Sequence, residues 1–466
     1  MIKLLIPIIG ILISITTVSG PAKAFDSTYS ALLQSKIVAY KTAYSLKGIS
    51  AAAYVPGQGL WTGVSGISSE TENVNNGMVF GAGSITKNFI ASIILQLAEA
   101  DSLSLNDSIG TWLPVFPNIN NSVPVRYLLD HSSGFYNLTD NPAFGAAINS
   151  NLTRRWTAEE VLNSFVLTPY FPPGTSWHYS NTNYIILGYI INRIMGTDIS
   201  EQLHGRFFTP LSLNESFFEV EDTIVIPYAH NWVDLNGDGI LDDAFSIPTT
   251  AIYSATSGAG GVTSRPENLV RWLKALYGGS LLNQTSISSM LTFRPANISG
   301  ANGYGLGTMR YIVDGITCYG HGGNIFGYTS VMIYDPRDSI AIAIMTNKDL
   351  DGGSMGKAFL QAVIDNNPVG ISSLSSESPE QFTLYQNYPN PFNPSTSIKF
   401  ALPEKQFVKL SVSNILGEEV QVLYKGILQS GEYSYNWEAM NFPGGIYFYK
   451  LQTDKTSIVK KMMLVK

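Results

Sequence analysis

The 466-residue sequence predicts an α+β fold with a small all-β tail, and three observations carry that prediction. Short apolar runs with strand character stand near both ends of the first 366 residues, at 50–63 and 303–346, while helical periodicity fills the middle. Helices and strands segregated in this way gather on a single sheet, with the terminal strands joining in one antiparallel array. From Ile371 onward the pattern changes to a Ser-rich stretch and then to alternating runs with no helical period.

Taken in order, residues 1–24 read as a secretory signal: Lys3, an apolar core from Leu4 to Thr17, and Ala22-Lys23-Ala24 before Phe25. That core is shorter than the roughly 20 residues that span a bilayer, and no later stretch qualifies. Cys318, the single cysteine, allows neither a lipidated N-terminus nor an internal disulfide, and its strand-like setting suits a buried small hydrophobe. The mature chain is therefore expected to be exported, without a transmembrane anchor. Net charge is −7 with no basic run, so nucleic acid is not an expected partner.

A helix is expected over Ala31–Ala43, followed by a strand pair, Ser50–Val55 and Gly59–Gly63, turning at Pro56-Gly57. Ile85, Phe89, Ile90, Ile93, Ile94 and Leu97 recur at helical spacing, so a helix starts at Ser84. Thr157 and Glu160 are spaced as a capping box, and the periodic run Tyr184–Met195 closes on Gly196. A helix over Pro266–Tyr277 precedes strands at Gly303–Gly307, Ile316–Tyr319, Tyr328–Asp335 and Ser339–Thr346, with His321-Gly322-Gly323 between the second and third. A last helix covers Gly356–Asp365. In the tail, Ser397–Leu402, Val408–Val412 and Gly445–Leu451 alternate as strands of a sandwich.

One insertion resembles a metal loop. Asp234, Asn236, Asp238, Gly239 and Asp242 match positions 1, 3, 5, 6 and 9 of a calcium loop, but position 12 is Phe245 and no helix pair flanks it. A solvated turn suits these residues better than a calcium site.

For chemistry, the five histidines (His131, His178, His204, His230 and His321) show no zinc spacing. There is no G-x-S-x-G elbow, Walker loop or dinucleotide fingerprint, so no cofactor is expected. What remains is Ser84 with Lys87. Three apart on a helix, their Cβ atoms stand roughly 5–6 Å apart, so hydroxyl and amine can meet. A serine there is either a helix cap beside a solvated lysine, or a nucleophile with its base attached. Tyr179 and Asn181 could supply a second proton carrier and an amide holder. A lysine ammonium beside Tyr179 would lower the phenol's pKa from about 10.

The segments GAGSITKNF, LLDHSSGF, FPPGTSWHYSNTNYIILGYIINRIMG, SGAGGVTS and YGHGGNIFGYTS occur in that order. Together they resemble the serine β-lactamase and penicillin-binding superfamily, in particular the group of class C β-lactamases, D-alanyl-D-alanine carboxypeptidases and related esterases. The resemblance implies an antiparallel sheet flanked by helices with an all-helical subdomain. By it, Ser84 is the acylated nucleophile, Lys87 its base, Tyr179 the shared general acid/base and Asn181 a contact to the substrate amide. His321-Gly322-Gly323 stands in place of the family's Lys-Thr-Gly, and the N–H groups of Ser84 and Asn324 form the oxyanion hole. A neutral imidazole and no hydroxyl at this box disfavour β-lactam turnover.

LYQNYPNPFNPSTSIKF, SVSNILGEEV, GGIYFYKL and KKMMLVK resemble the C-terminal sorting domain of type IX secretion substrates. The expected organisation is signal 1–24, hydrolase 25–368, linker 369–380 and β-sandwich 381–466. The expected function is a secreted or cell-surface serine hydrolase, routed through the periplasm, acting as a D-alanyl-D-alanine carboxypeptidase, peptidase or esterase. Its partners would be a small-molecule or peptide substrate (peptidoglycan peptide, ester or β-lactam) and the type IX secretion machinery. The alternatives are a true β-lactamase and a non-catalytic penicillin-binding or surface binding protein.

Overall fold

The computed structural model describes residues 25–279, 281–367, 371–375, 379–428, 430–440 and 442–466. The expected signal at 1–24 lies outside them, as do residues 369–370 and 376–378 of the expected linker.

An eight-stranded antiparallel sheet organises the front of the chain. Its order is Gly59–Gly66, Gly48–Val55, Ile340–Thr346, Tyr328–Asp335, Ile316–Ile325, Met309–Val313, Ala301–Tyr304 and Arg294–Ile298. The N-terminal strand pair closes onto the C-terminal strands, with Ile49 opposite Thr346 and Ala52 opposite Ala343. Tyr328–Asp335 and Ile340–Thr346 are buried at every position, because helices cover both faces. That explains their unbroken apolar runs. On one face, Ser27–Ala43 and Gly352–Asp365 pack over Ile49, Ile342 and Ile344. On the other lie Pro266–Tyr277 and the larger helical core built on Thr86–Glu99 and Asn181–Met195. In Thr86–Glu99, Lys87 to Leu95 are all buried, as in a helix surrounded by protein.

Most expected elements are present, several of them longer. Thr157 and Glu160 form both bonds of the capping box, and Gly196 ends Asn181–Met195 in the left-handed region at φ 71°. Three readings change. His321-Gly322-Gly323 lies within the strand Ile316–Ile325, not after it: ladder bonds to Tyr328–Asp335 carry the strand through its glycines. Arg294–Ile298 and Met309–Val313 are strands the sequence did not announce. Ile371–Ser375, expected as linker, pairs antiparallel with Gly431–Glu438, since a sheet edge accepts a backbone irrespective of its side chains.

The acidic insertion is a hairpin tip between Trp232–Val233 and Asp242–Asp243. Asp234 spends its oxygens on the N–H groups of Gly237, Asp238 and Gly239 at 2.7, 3.1 and 2.9 Å. Among the described residues no group of three or more His, Cys, Asp or Glu is arranged to hold a metal ion, and no helix is long and apolar enough to cross a membrane.

The tail is a sandwich of two four-stranded sheets around Ile398, Phe400, Val412, Trp437 and Tyr449. Gln406–Ser413 and Gly445–Gln452 are central in the second sheet, between Glu419–Leu428 and Ser457–Leu464.

Candidate active site

Ser84 sits in a single 3-10 turn, Gly83–Ile85, directly before the helix Thr86–Glu99. It does not cap that helix: no side chain does. The turn is fixed instead by Thr86, whose hydroxyl donates to Gly83 O at 2.7 Å and accepts from Val262 N at 2.9 Å. Gly83 has φ +52°, and a Cβ there would come within 2.8 Å of Asn324 O. The chain therefore needs glycine at this point to lay Ser84 against the strand Ile316–Ile325.

Lys87 is fully buried beneath Ser84. Its Nζ lies 3.0 Å from Ser84 Oγ, 2.7 Å from Asn181 Oδ1 and 2.7 Å from Ala259 O. None of these partners is a carboxylate. Burial without a counter-charge disfavours the ammonium and holds the amine well below its ordinary pKa.

Tyr179 stands beside them, its ring centre 4.9 Å from Lys87 Nζ. Here the expected direction of titration is reversed. Desolvation dominates and raises the phenol's pKa, with only the Ser84 side chain pulling the other way. The lysine expected to lower it is itself driven towards the uncharged amine.

Asn181 opens the helix Asn181–Met195, where its N–H donates to Asn137 Oδ1 at 2.8 Å. Its Nδ2 donates to Thr139 Oγ1 at 3.0 Å, which fixes the side-chain amide with Oδ1 towards Lys87. One amide hydrogen is left over for another acceptor.

Gly323 passes so close to Ser84 that a Cβ would lie 2.7 Å from Ser84 N and 2.2 Å from Ala82 O. Asn324 is exposed, with Nδ2 donating to Thr329 Oγ1 at 2.7 Å and to Leu350 O at 2.9 Å. Its side chain is thus anchored in protein, and its backbone runs beside Gly83. Gly322 is buried.

His321 is placed differently from a residue that offers its ring to the cleft. It is fully buried, Nδ1 is 2.6 Å from Gly322 O, and Nε2 is 2.9 Å from Tyr304 Oη. Nδ1 therefore carries the proton and Nε2 accepts from the tyrosine. Desolvation, then the proximity of Lys87, pushes its pKa down to about 3.

Some parts of this arrangement carried no sequence signal. Ala259 contributes a backbone carbonyl, and Thr139 acts only through Asn181. The quoted segment SGAGGVTS contained the first, but a carbonyl leaves no mark on residue type. His131, fully buried, has its ring centre 4.3 Å from that of Tyr179 and 4.6 Å from that of Tyr304.

Comparison with known proteins identifies the family. Residues 33–364 match the Beta-lactamase family, and residues 386–466 match the secretion system C-terminal sorting domain. Penicillin-binding protein 4* of Bacillus subtilis (strain 168) is 26% identical over 299 residues, 61% of this chain and 64% of that protein. The chain thus spans under two thirds of that relative. A D-stereospecific amidohydrolase from Streptomyces sp. superposes with TM-score 0.63 at 27% identity, over 71% of this chain and 98% of that one. D-amino acid amidase from Ochrobactrum anthropi SV3, solved with L-phenylalanine amide, gives TM-score 0.64 at 26% identity over 72% and 99%. With the family matched over most of its length and the motif segments gathered around one buried lysine, the chain belongs to the Beta-lactamase family and ends in a secretion system C-terminal sorting domain.

Proposed function

We propose that this chain is an exported serine hydrolase that acts through an acyl-enzyme on Ser84. Its substrate is an amide or ester of a D-amino acid, as for a D-alanyl-D-alanine carboxypeptidase, peptidase or esterase. The observation that carries this reading is the hydrogen-bond inventory of Lys87. An uncharged amine has two N–H groups and one lone pair. Asn181 Oδ1 and Ala259 O, each at 2.7 Å, take the two N–H groups. The lone pair is then left for the Ser84 hydroxyl at 3.0 Å, the geometry of a base poised on a nucleophile.

The steps follow. Ser84 Oγ bonds to the substrate carbonyl carbon as its proton passes to Lys87 Nζ. The backbone N–H groups of Ser84 and Asn324 receive the oxyanion. When the scissile C–N or C–O bond breaks, the leaving group takes the proton of Tyr179, which burial keeps protonated. The Lys87 ammonium then returns its proton to the phenolate. Water repeats the sequence on the ester and frees Ser84. Asn181 orients the substrate through its spare N–H.

Preference for D-amino-acid derivatives is supported by the amidohydrolase and amidase among the structural neighbours. His321 counts against efficient β-lactam hydrolysis: uncharged, with both nitrogens engaged, it offers a β-lactam carboxylate nothing. The tail supports delivery by type IX secretion to the medium or cell surface.

The test is intact mass after incubation with a fluorophosphonate, on wild type and Ser84→Ala. An adduct on wild type alone is expected, and a folded wild type without one overturns the reading. Rates on a D-Ala-D-Ala peptide, p-nitrophenyl esters and a chromogenic cephalosporin then rank the substrates, with the cephalosporin slowest.

A further inference from the structure

A small apolar pocket, of about 160 Å³, is shared by two segments that also build the Ser84 site. Phe144 and Ile148 of the helix Pro142–Ser150, Leu152 after it, Pro248, Ile252 and Phe326 form its wall, and Asn149 brings the one polar side chain. Phe326 stands two residues after Asn324, just past the end of the strand Ile316–Ile325. The helix carrying Phe144 starts shortly after Thr139, which fixes Asn181. An apolar cavity of about 150 Å³ stays dry and takes up benzene. This pocket is therefore sized for one aromatic ring.

Phe326 is held there against its own backbone preference. It and Gly327 join Ile325 to Tyr328 in a two-residue hairpin turn, with φ 33° and 81°. Positive φ at both places is the type I′ pattern, which favours asparagine and glycine, and a bulky ring at the first place is an outlier. The turn is pinned on either side: Asn231 Nδ2 donates to Phe326 O at 2.9 Å, and Gly327 N to Asp349 Oδ2 at 3.2 Å. Strain maintained in this way clusters at sites that clamp a ligand.

Tyr179 gives the direction in which a substrate lies. Its ring centre is 6.0 Å from that of Tyr304, whose hydroxyl bonds His321, so a leaving group that takes the Tyr179 proton lies towards the His321 end of the strand. The acyl part, across the carbonyl, extends the other way, past Asn324 to Phe326. Two residues of extended chain cover at most about 7 Å, within reach of a side chain on the acyl α-carbon. We propose that the pocket receives that side chain and selects a benzyl-sized apolar group. This rests on the acyl-enzyme reading of Ser84.

Initial rates of the full chain on p-nitrophenyl acetate and p-nitrophenyl 3-phenylpropanoate test this. The leaving group is shared, and only the second ester carries a benzyl group on its α-carbon. Each rate is divided by that ester's spontaneous hydrolysis. The phenylpropanoate should give a kcat/KM about 10- to 100-fold higher, the scale on which burying one apolar side chain acts. Gly145→Phe should cancel most of that ratio. Gly145 lines the pocket and a Cβ there meets nothing within 4 Å, so the new ring fills the space without displacing protein. Phe326→Gly should lower the ratio too, removing the ring while relieving the positive φ. If one variant fails to melt cooperatively, the other decides. A wild type that the fluorophosphonate labels but that shows no preference overturns this proposal and leaves the hydrolase reading intact. Undiminished preference in the folded variants overturns it as well, by placing the acyl group elsewhere. An unlabelled wild type overturns the hydrolase reading, and this proposal with it.

Discussion

His131 holds Tyr179 from both sides. Its carbonyl accepts from His178 N at 3.1 Å and its Nδ1 from Ser180 N at 3.2 Å, so the backbone N–H groups of both residues flanking Tyr179 are tied to one residue. Its ring lies tilted against the phenol, and Asn183 Nδ2, 3.1 Å away, reinforces Nδ1 as the acceptor. Burial keeps the imidazole uncharged. The residue does this from φ +60°, a conformation that asparagine tolerates and most residues do not.

The first prediction is therefore a contrast at position 131. His131→Leu loses the acceptor and strains the backbone, whereas His131→Asn keeps both an acceptor and a tolerated φ. Steady-state kinetics should show kcat falling about 100-fold in His131→Leu, the cost of roughly 1 Å of misplacement, with KM little changed. His131→Asn should recover most of it. Equal losses in both would show that the acceptor does not position Tyr179.

Lys87 sets the pH dependence of activity and stability. Activity needs the free amine, so kcat/KM should rise on an acid limb set by Lys87, well below 10.5, and stay level to at least about pH 9 because Tyr179 titrates above its usual range. His321, near 3, should contribute no step around neutrality. The same shift links to folding. With its pKa depressed in the native state, Lys87 binds fewer protons there than in the unfolded chain, so stability rises with pH from the native pKa up to about 10.5. Denaturant unfolding should show wild type gaining on Lys87→Met between pH 7 and 10. A constant difference would mean that Lys87 is charged in the fold.

Gly323→Ala tests the approach of the strand to Ser84. The added methyl meets Ala82 O at 2.2 Å and Ser84 N at 2.7 Å, both backbone atoms that cannot swing away. About 1–3 kcal/mol of stability should be lost, the usual cost of overpacking. Acylation by the fluorophosphonate should fall far more than the melting temperature does, because the displaced atom is the Ser84 N–H.

Thr86→Val separates the turn from the chemistry. Valine fills the same space but neither donates to Gly83 O nor accepts from Val262 N. Gly83 O keeps the Thr86 backbone N–H, whereas Val262 N is left unpaired, at about 1–3 kcal/mol. Thermal unfolding should report that loss, with the labelling rate at Ser84 falling as the turn loosens.

Much of this was legible in the chain. The capping box at Thr157 and Glu160 and the Gly196 terminus are local signals, and a local signal can be read without knowing what lies across the fold. The runs at Tyr328–Asp335 and Ser339–Thr346 announced strands, and the structure shows them buried at every position of Tyr328–Asp335 and Ile340–Thr346. Met309–Val313 gave no comparable pattern, being a short strand fixed by its pairing with Ile316–Tyr319. At the calcium-like spacing from Asp234, read as a solvated turn, the Asp234 side chain turns back onto its own backbone.

By itself, then, the sequence determined which residues meet, through segments whose order is that of the family, and it placed Ser84 and Lys87 one turn apart. Only the tertiary structure decided the surroundings that bias their proton balance. The Lys87 ammonium is disfavoured because Asn181, Ala259 and the surrounding core enclose the amine without a carboxylate, and desolvation likewise favours the protonated phenol of Tyr179. His321 turns inward because Tyr304, on another strand, offers it a hydroxyl. Burial and partners far apart in the chain set those states, and neither is written in residue spacing.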